Sequence, residues 1–151
     1  RAARGSPLII SPAFVDGVDR AHDPATLDGF PGWVLSRLES GQDVPLSVDQ
    51  YVTPSRAGAT AETMLDLVED GASGTYNVAA RSCVTPYEFG REIASVMGVG
   101  TDALVEGSQS DVDRAAARPA STCLDVEKIE SRLGRPQPTL TEDVGAIDPF
   151  L

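Results

Sequence analysis

The stretch LSVDQYVTPS, residues 46–55, decides the fold that we expect for this chain. Its first residues alternate between apolar or small and polar side chains, as in a short strand. Thr53 and Pro54 then favour a helix start, with Thr53 as the N-cap and Pro54 as the first helical residue. The stretch therefore predicts a strand-to-helix turn with Asp49 and Gln50 at the strand's end, where α/β proteins build ligand pockets. Ordinary turn chemistry is the alternative interpretation of these residue types.

Strands and helices are predicted to alternate along the rest of the chain. The hydrophobic pattern predicts strands at residues 7–10, 44–48 and 74–79, with a minor strand at 104–105. Helices are predicted at residues 31–40, 54–69, 85–97 and 125–133. The first strand is wholly apolar, which is typical of a strand buried on both faces in a parallel sheet. This order indicates an α/β fold in a single domain, residues 1–151.

Two helices have specific local signals. Thr85 and Glu88 form a capping-box pattern around Pro86, which marks a helix start. The helix over residues 54–69 is expected to bury an apolar stripe on one face, composed of Ala57, Ala61, Met64, Leu65 and Val68. Near the end of the chain, Thr141 is expected to cap a further turn.

The charge balance bears on the class of partner. The chain has 12 basic and 23 acidic residues, a net charge of −11, and Lys128 is its single lysine. A nucleic-acid partner is not expected, because binding a phosphate backbone needs clustered basic residues. An acidic, lysine-poor surface favours solubility in concentrated salt, so we expect a halophilic source. An ordinary acidic cytosolic protein is the alternative.

The cysteines and the histidine do not form a recognised metal motif. Cys83 and Cys123 are forty residues apart, and His22 lies in a different region, so no metal site is expected. Both thiols are expected to be free and packed as small hydrophobic side chains in a reducing compartment. His22 is expected to be a solvated residue of a long loop over residues 16–29. The chain has no apolar run long enough for a membrane span, so we expect a cytoplasmic protein.

The familiar signatures of catalysis are missing from these residues. No glycine-rich dinucleotide fingerprint follows a strand, and the sequence contains no P-loop, no nucleophile elbow and no Tyr-x-x-x-Lys pair. Taken without any resemblance, these residues indicate a binding or structural domain.

Six segments, taken in order and spacing, carry a resemblance to a known family. They are residues 10–17, 29–30, 46–55, 74–79, 85–89 and 118–128. Together they resemble the C-terminal half of dTDP-4-dehydrorhamnose reductase and its relatives, which are extended short-chain dehydrogenases/reductases that act on sugar nucleotides. The family's arginine, tryptophan, tyrosine, asparagine and glycine are replaced here by Ser11, Phe14, Asp16, Gly29 and Val52.

The resemblance implies a fold and a cofactor. The fold would be the C-terminal part of a Rossmann-like reductase with its substrate-binding subdomain. The nucleotide-binding half and the Tyr-x-x-x-Lys pair, which precede residues 7–10 in that family, are absent, so the chain is either a fragment of a longer reductase or a free-standing remnant. NAD(P)H is implied for the full-length enzyme, and we expect this chain alone to bind no cofactor and to contain no catalytic residue.

The resemblance also implies a substrate site for a nucleotide sugar. Phe14 and Phe30 would offer apolar surface to the base or the sugar, and Asp49 and Gln50 would shape the pocket together with the turn at Thr53 and Pro54. Arg118 would donate to the diphosphate. A surface salt bridge from Arg118 to Asp111, Asp113 or Asp125 is the alternative for that residue.

Two functional hypotheses follow from the resemblance. The first is the substrate-binding half of an NAD(P)H-dependent reductase of dTDP-rhamnose biosynthesis. The second is a non-catalytic sugar-nucleotide-binding or regulatory module, motivated by the replaced family residues. Because the strands predicted at residues 7–10 and 74–79 would lack neighbours, we expect association with another copy or with the missing half.

Overall fold

The computed structural model describes residues 6–16, 29–113 and 115–147. This part of the chain is an α/β structure, which confirms the expected fold class. The strands are β1 (Leu8–Pro12), β2 (Phe14–Asp16), β3 (Val44–Ser47), β4 (Pro54–Arg56), β5 (Gly74–Val78) and β6 (Leu104–Gly107). The helices are α1 (Gly29–Glu39), α2 (Ala57–Glu69), α3 (Pro86–Met97), α4 (Glu127–Leu133) and α5 (Leu140–Gly145), with a 3-10 helix at Gln109–Asp111. His22 and residues 17–28 of the expected loop lie outside the described residues.

The strands pair in parallel, two by two. β1 pairs with β5, β2 with β4 and β3 with β6. Parallel neighbours require a long connection that returns the chain to the same edge, and helices provide these connections here. In the third pair Ser47 lies opposite Gly107, so β3 and β6 end side by side. Their following loops therefore leave from one place, which is where the site described below is found.

Two hydrophobic clusters form the core. The first joins α1, α3 and α5 to the β3–β6 pair, and its members include Val34, Leu46, Phe89, Ile93, Leu104 and Val144. The second joins α2 and α4 to β5 through Leu67, Tyr76, Val78 and Ile129. Gly90 lets α3 approach β3, because a Cβ there would collide with the Leu46 side chain. The first turn of α3 is thereby held tightly over the end of β3.

The start of α2 differs from the expectation. The helix begins at Ala57 and not at Pro54, because Pro54–Arg56 pairs with Phe14–Asp16 as strand β4. Thr53 is not the N-cap. Its Oγ1 instead accepts a hydrogen bond from the backbone N–H of Leu124 at 3.2 Å. The extended backbone continues through Pro54 because partners elsewhere in the chain satisfy it, which outweighs the local helix-start signal.

The buried face of α2 also differs from the expected apolar stripe. Leu65 and Val68 are 62% and 63% exposed, while Thr60, Thr63 and Leu67 are buried. Thr63 can be buried because its hydroxyl donates to Gln137 Oε1 at 3.3 Å. Thr60, Thr63 and Leu67 therefore replace most of the predicted side chains at this interface, and Met64 alone of the predicted stripe packs against the second cluster.

Helix α3 confirms its predicted start. Thr85 Oγ1 accepts from the N–H of Glu88, and the Glu88 carboxylate accepts from the N–H of Thr85 at 2.7 Å. The same device starts α5, where Thr139 and Glu142 form the capping box. The expected cap at Thr141 was therefore misplaced by two residues, because the required acidic partner lies three residues after Thr139.

The cysteines form a disulfide, so the expectation of free thiols was wrong. Cys83 and Cys123 are bonded across a sequence separation of 40 residues. Backbone pairing brings them together: Val52 bridges to Val84 and Tyr51 bridges to Ser121. Both cysteines therefore flank the same short segment of chain, an arrangement that spacing in the sequence cannot reveal.

Strand β1 is less buried than predicted. Ile9 is 52% exposed, and within the described residues β1 pairs with β5 alone.

Among the described residues, no three side chains of the metal-binding types group as ligands for an ion. None of the described helices combines the length and the apolar character that a membrane crossing demands.

Candidate functional site

A cleft of about 760 Å³ opens where β3 and β6 end. Its floor is formed by Leu46 and Val52, and its sides come from β2, α1, the first turn of α3 and residues 118–122. Ligands in open α/β sheets bind beyond the carboxyl ends of parallel strands, where such loops meet. The volume is that of pockets that enclose small-molecule ligands.

Four aromatic side chains form one wall of the cleft. The Phe30 ring lies at the centre, with centroid distances of 5.0 Å to Phe89, 6.1 Å to Trp33 and 6.2 Å to Phe14. Phe89 belongs to the core, whereas Phe14 and Trp33 are 45% and 43% exposed. The wall therefore extends from the core to the cleft mouth, and it offers a continuous apolar surface against which a planar ring can stack.

Gln50 contributes an amide group to the lining of the cleft. The residue is only 8% exposed and lines the cleft, yet its side chain makes no hydrogen bond within the described part of the chain. Among the described residues the buried side-chain atoms without a partner are Arg56 Nε and Gln137 Nε2, so the unpaired Gln50 amide is accessible from the cleft. The Gln50 side chain is thus available to donate to, or accept from, a molecule in the cleft.

Asp49 lies beside the cleft and does not line it. Its carboxylate accepts from Ser108 Oγ at 2.6 Å and from the N–H of Gln109 at 2.9 Å. The hydrogen bond from Ser108, followed by that from Gln109, holds the pKa of Asp49 below its ordinary value. Ser108 and Gln109 do line the cleft, so Asp49 acts on the cleft through the turn that it holds.

Arg118 also lines the cleft. The residue is exposed and, as far as the described residues extend, forms no ion pair or hydrogen bond. The alternative salt bridge to Asp111, Asp113 or Asp125 is not formed among the described residues, whose ion pairs involve other arginines. The guanidinium therefore has free donors for an anionic group.

Thr53 and Pro54 lie behind the cleft. Both are buried and neither lines the cleft. Thr53 accepts from the N–H of Leu124, and Pro54 belongs to β4. They support the segment that follows Gln50 and have no surface in the cleft. Of the seven predicted residues, the cleft brings together Phe14, Phe30, Gln50 and Arg118.

Several lining residues were missed by the sequence analysis. Trp33, Phe89, Gln109 and Thr122 line the cleft but were not among the predicted site residues. Phe89 could have been found, because the first turn of a helix that follows a parallel strand lies at the carboxyl edge of the sheet. Gln109 and Thr122 carry no local signal, since their positions depend on bonds to Asp49 and Tyr51.

The chemistry of the cleft is that of binding. Arg118 and Asp111 are the charged side chains among the described residues that line it. Those residues include neither a histidine or a cysteine that could act as base or nucleophile nor a tyrosine or lysine. An aromatic wall, an unpaired amide and a free guanidinium suit a ligand that combines a planar ring with an anion.

Comparisons with known proteins agree with this reading of the fold. The family model described as the RmlD substrate binding domain matches residues 25–148. The probable low-salt glycan biosynthesis reductase Agl14 of Haloferax volcanii is 49% identical over 142 residues, which cover 93% of this chain and 46% of the relative. The chain thus spans about half the length of that relative.

Solved structures show the same fold. A dTDP-4-dehydrorhamnose reductase from Bacillus anthracis, in complex with NADP, superimposes with a TM-score of 0.82 at 16% identity, over 95% of this chain and 48% of that one. A hypothetical dTDP-4-dehydrorhamnose reductase from Sulfolobus tokodaii gives a TM-score of 0.73 at 24% identity, over 95% and 48% of the two chains. Because the family model covers most of the sequence, this chain belongs to the RmlD substrate binding domain family.

Proposed function

We propose that this chain is the substrate-binding portion of an NAD(P)H-dependent reductase that acts on a dTDP-linked keto sugar. The observation that supports the proposal is the cleft, whose lining combines an aromatic wall with the unpaired guanidinium of Arg118. In the proposed complex the base or the sugar stacks along Phe14 and Phe30, the Gln50 amide hydrogen-bonds to it, and Arg118 binds the diphosphate.

The described residues of this chain do not fit the cofactor. A dinucleotide needs a glycine-rich turn between a strand and a helix, so that its pyrophosphate can approach the backbone. The β4–α2 junction contains a single glycine, Gly58, and the Arg56 side chain lies against it. The residues that bind NAD(P)H would therefore lie elsewhere in the full-length enzyme, and no hydride step is assigned to this chain.

The proposal is tested by ligand binding to the intact protein that carries this chain. Titration calorimetry with dTDP and with dTDP-glucose is expected to show one site. Arg118→Ala should raise Kd for both about tenfold or more, because a charge-assisted pair to the diphosphate is lost. Arg118→Lys should recover part of the affinity, since it keeps the charge and loses the planar fork.

Arg91→Ala is the matched control, because Arg91 is an exposed arginine on α3 that does not line the cleft. Its Kd should equal that of the wild type. Absence of binding at millimolar dTDP, or equal losses for the two alanine variants, would contradict the proposal. Binding without NAD(P)H-dependent turnover of any dTDP-keto sugar would favour the non-catalytic module instead.

A further inference from the structure

The disulfide joins two parts of the cleft wall. Cys83 stands three residues before Pro86, which lines the cleft in the first turn of α3. Cys123 directly follows Thr122 and stands five residues after Arg118, both of which also line the cleft. One covalent bond therefore connects the chain just before α3 with the segment that carries Arg118, and both contribute to the lining of the cleft.

The segment that carries Arg118, residues 115–122, has few other contacts that fix its position. Among the described residues between the 3-10 helix and α4, 112–113 and 115–126, there is no helix or strand, and those from 115 to 122 are all exposed. On its inner side the segment bonds to one residue, Tyr51, through Ala120 O at 2.8 Å and the N–H of Thr122 at 2.9 Å. The disulfide is thus the link that ties this segment to the start of α3.

The bond is open to reagents from solution. Cys83 is exposed and Cys123 is half-buried. A small dithiol can therefore attack the disulfide without unfolding the core. Attack by one thiolate of the reagent breaks the Cys83–Cys123 bond, releases one cysteine and forms a mixed disulfide with the other. The second thiol of the reagent then attacks the mixed disulfide and releases that remaining cysteine. The reagent leaves as its own cyclic disulfide, and two electrons and two protons have passed to the sulfurs of Cys83 and Cys123.

We propose that the Cys83–Cys123 disulfide is a redox-operated positioning link for the cleft. When the bond is intact, it fixes the segment of residues 115–122 against the first turn of α3. When a dithiol opens it, the segment loosens, Arg118 leaves its position over the cleft, and the affinity for a nucleoside diphosphate falls. The affinity part of this inference rests on the function proposed above, whereas the loosening of the segment does not.

The test compares the intact protein before and after treatment with dithiothreitol. Alkylation and mass measurement confirm that two thiols have formed. Hydrogen exchange should become faster at the amides of Thr122 and Leu124, whose partners are Tyr51 and Thr53, and should stay slow at Ile93 in the core. Calorimetry with dTDP should show Kd rising about tenfold on reduction, as expected when the Arg118 contact is lost.

A double variant, Cys83→Ser with Cys123→Ser, should show the reduced behaviour with or without dithiothreitol. Unchanged exchange at Thr122 and Leu124 in protein whose bond is open would overturn the proposal, whatever dTDP does. Faster exchange together with an unchanged Kd would overturn the affinity part. If exchange responds but dTDP binds neither form, the positioning link stands and the proposed nucleotide site fails.

Discussion

At the scale of single residues, Asp49 shapes the cleft without touching it. Its carboxylate holds the turn at Ser108 and Gln109, sixty residues away, and those two residues line the cleft. Hydrogen bonds to the ionised carboxylate lower its pKa in the folded state. Asp49 therefore contributes stability above its unfolded pKa of about 3.9, and the contribution is lost as the pH falls through the lowered value.

This linkage gives a prediction for Asp49→Asn. The variant should melt at a lower temperature than the wild type at pH 7, because the two bonds end on different carboxylate oxygens and the Asn amide keeps a single, uncharged acceptor oxygen. The difference should shrink as the pH is lowered below about 4, where the wild-type carboxyl group also becomes neutral. Thermal unfolding from pH 7 to pH 2.5 measures it, with Asp102→Asn, at an exposed turn, as control. A constant difference across that range would contradict the linkage.

Part of the site could be predicted residue by residue, and part could not. Phe14, Phe30, Gln50 and Arg118 line one cleft, and their role in binding stays a prediction. Asp49 could not be placed correctly, because its direction depends on donors near residue 108 that no local pattern connects to it. Gln109 and Trp33 stayed unnoticed for the same physical reason: their exposure to the cleft arises from tertiary contacts.

At the scale of elements, local signals succeeded where the partners lie within one turn. The start of α3 was predictable because both partners of its capping box lie within four residues. The start of α2 was not, because residues 54–56 pair with residues 14–16, about forty positions earlier. Strand β4 therefore occupies the residues where the first turn of the helix was predicted, because its backbone pairs with that of β2.

The capping box leads to a prediction about α3. Thr85→Ala should destabilise the protein by about 1 kcal/mol, since removal of the Thr85 hydroxyl leaves the backbone N–H of Glu88 without its acceptor. Thr101→Ala, at an exposed turn threonine whose side chain has no hydrogen bond among the described residues, should change stability little. Urea unfolding measures both. An equal effect of the two substitutions would show that the cap does not stabilise the helix.

At the scale of the whole molecule, the fold class followed from the alternation of elements, while the cross-link did not. Many segments indicate the α/β arrangement independently, because each strand and each helix has its own hydrophobic pattern. The disulfide depends on a single event, the pairing of residues 84 and 121 on either side of residues 51–52. The argument from compartment that favoured free thiols could not detect that geometry.

Net charge is also a property of the whole molecule. The chain carries 23 acidic and 12 basic residues, so one-to-one pairing leaves eleven carboxylates without a partner. Glu39, Glu62, Glu69 and Glu106 are exposed and form no ion pair within the described residues. Repulsion among such groups raises the free energy of the compact state, and dissolved salt screens this repulsion.

The expected halophilic character can therefore be tested by melting the intact protein in potassium chloride. The Debye length falls from ~30 Å at about 0.01 M to ~3 Å at about 1 M, so repulsion between exposed carboxylates is largely screened over that range. We predict that Tm rises across it, and rises more than for a near-neutral protein of equal length. Replacing exposed Glu62 and Glu69 by glutamine should reduce the rise, because two of the repelling charges are then absent. A Tm that stays flat or falls between those concentrations would remove the halophilic interpretation and would leave the proposed sugar-nucleotide site unaffected.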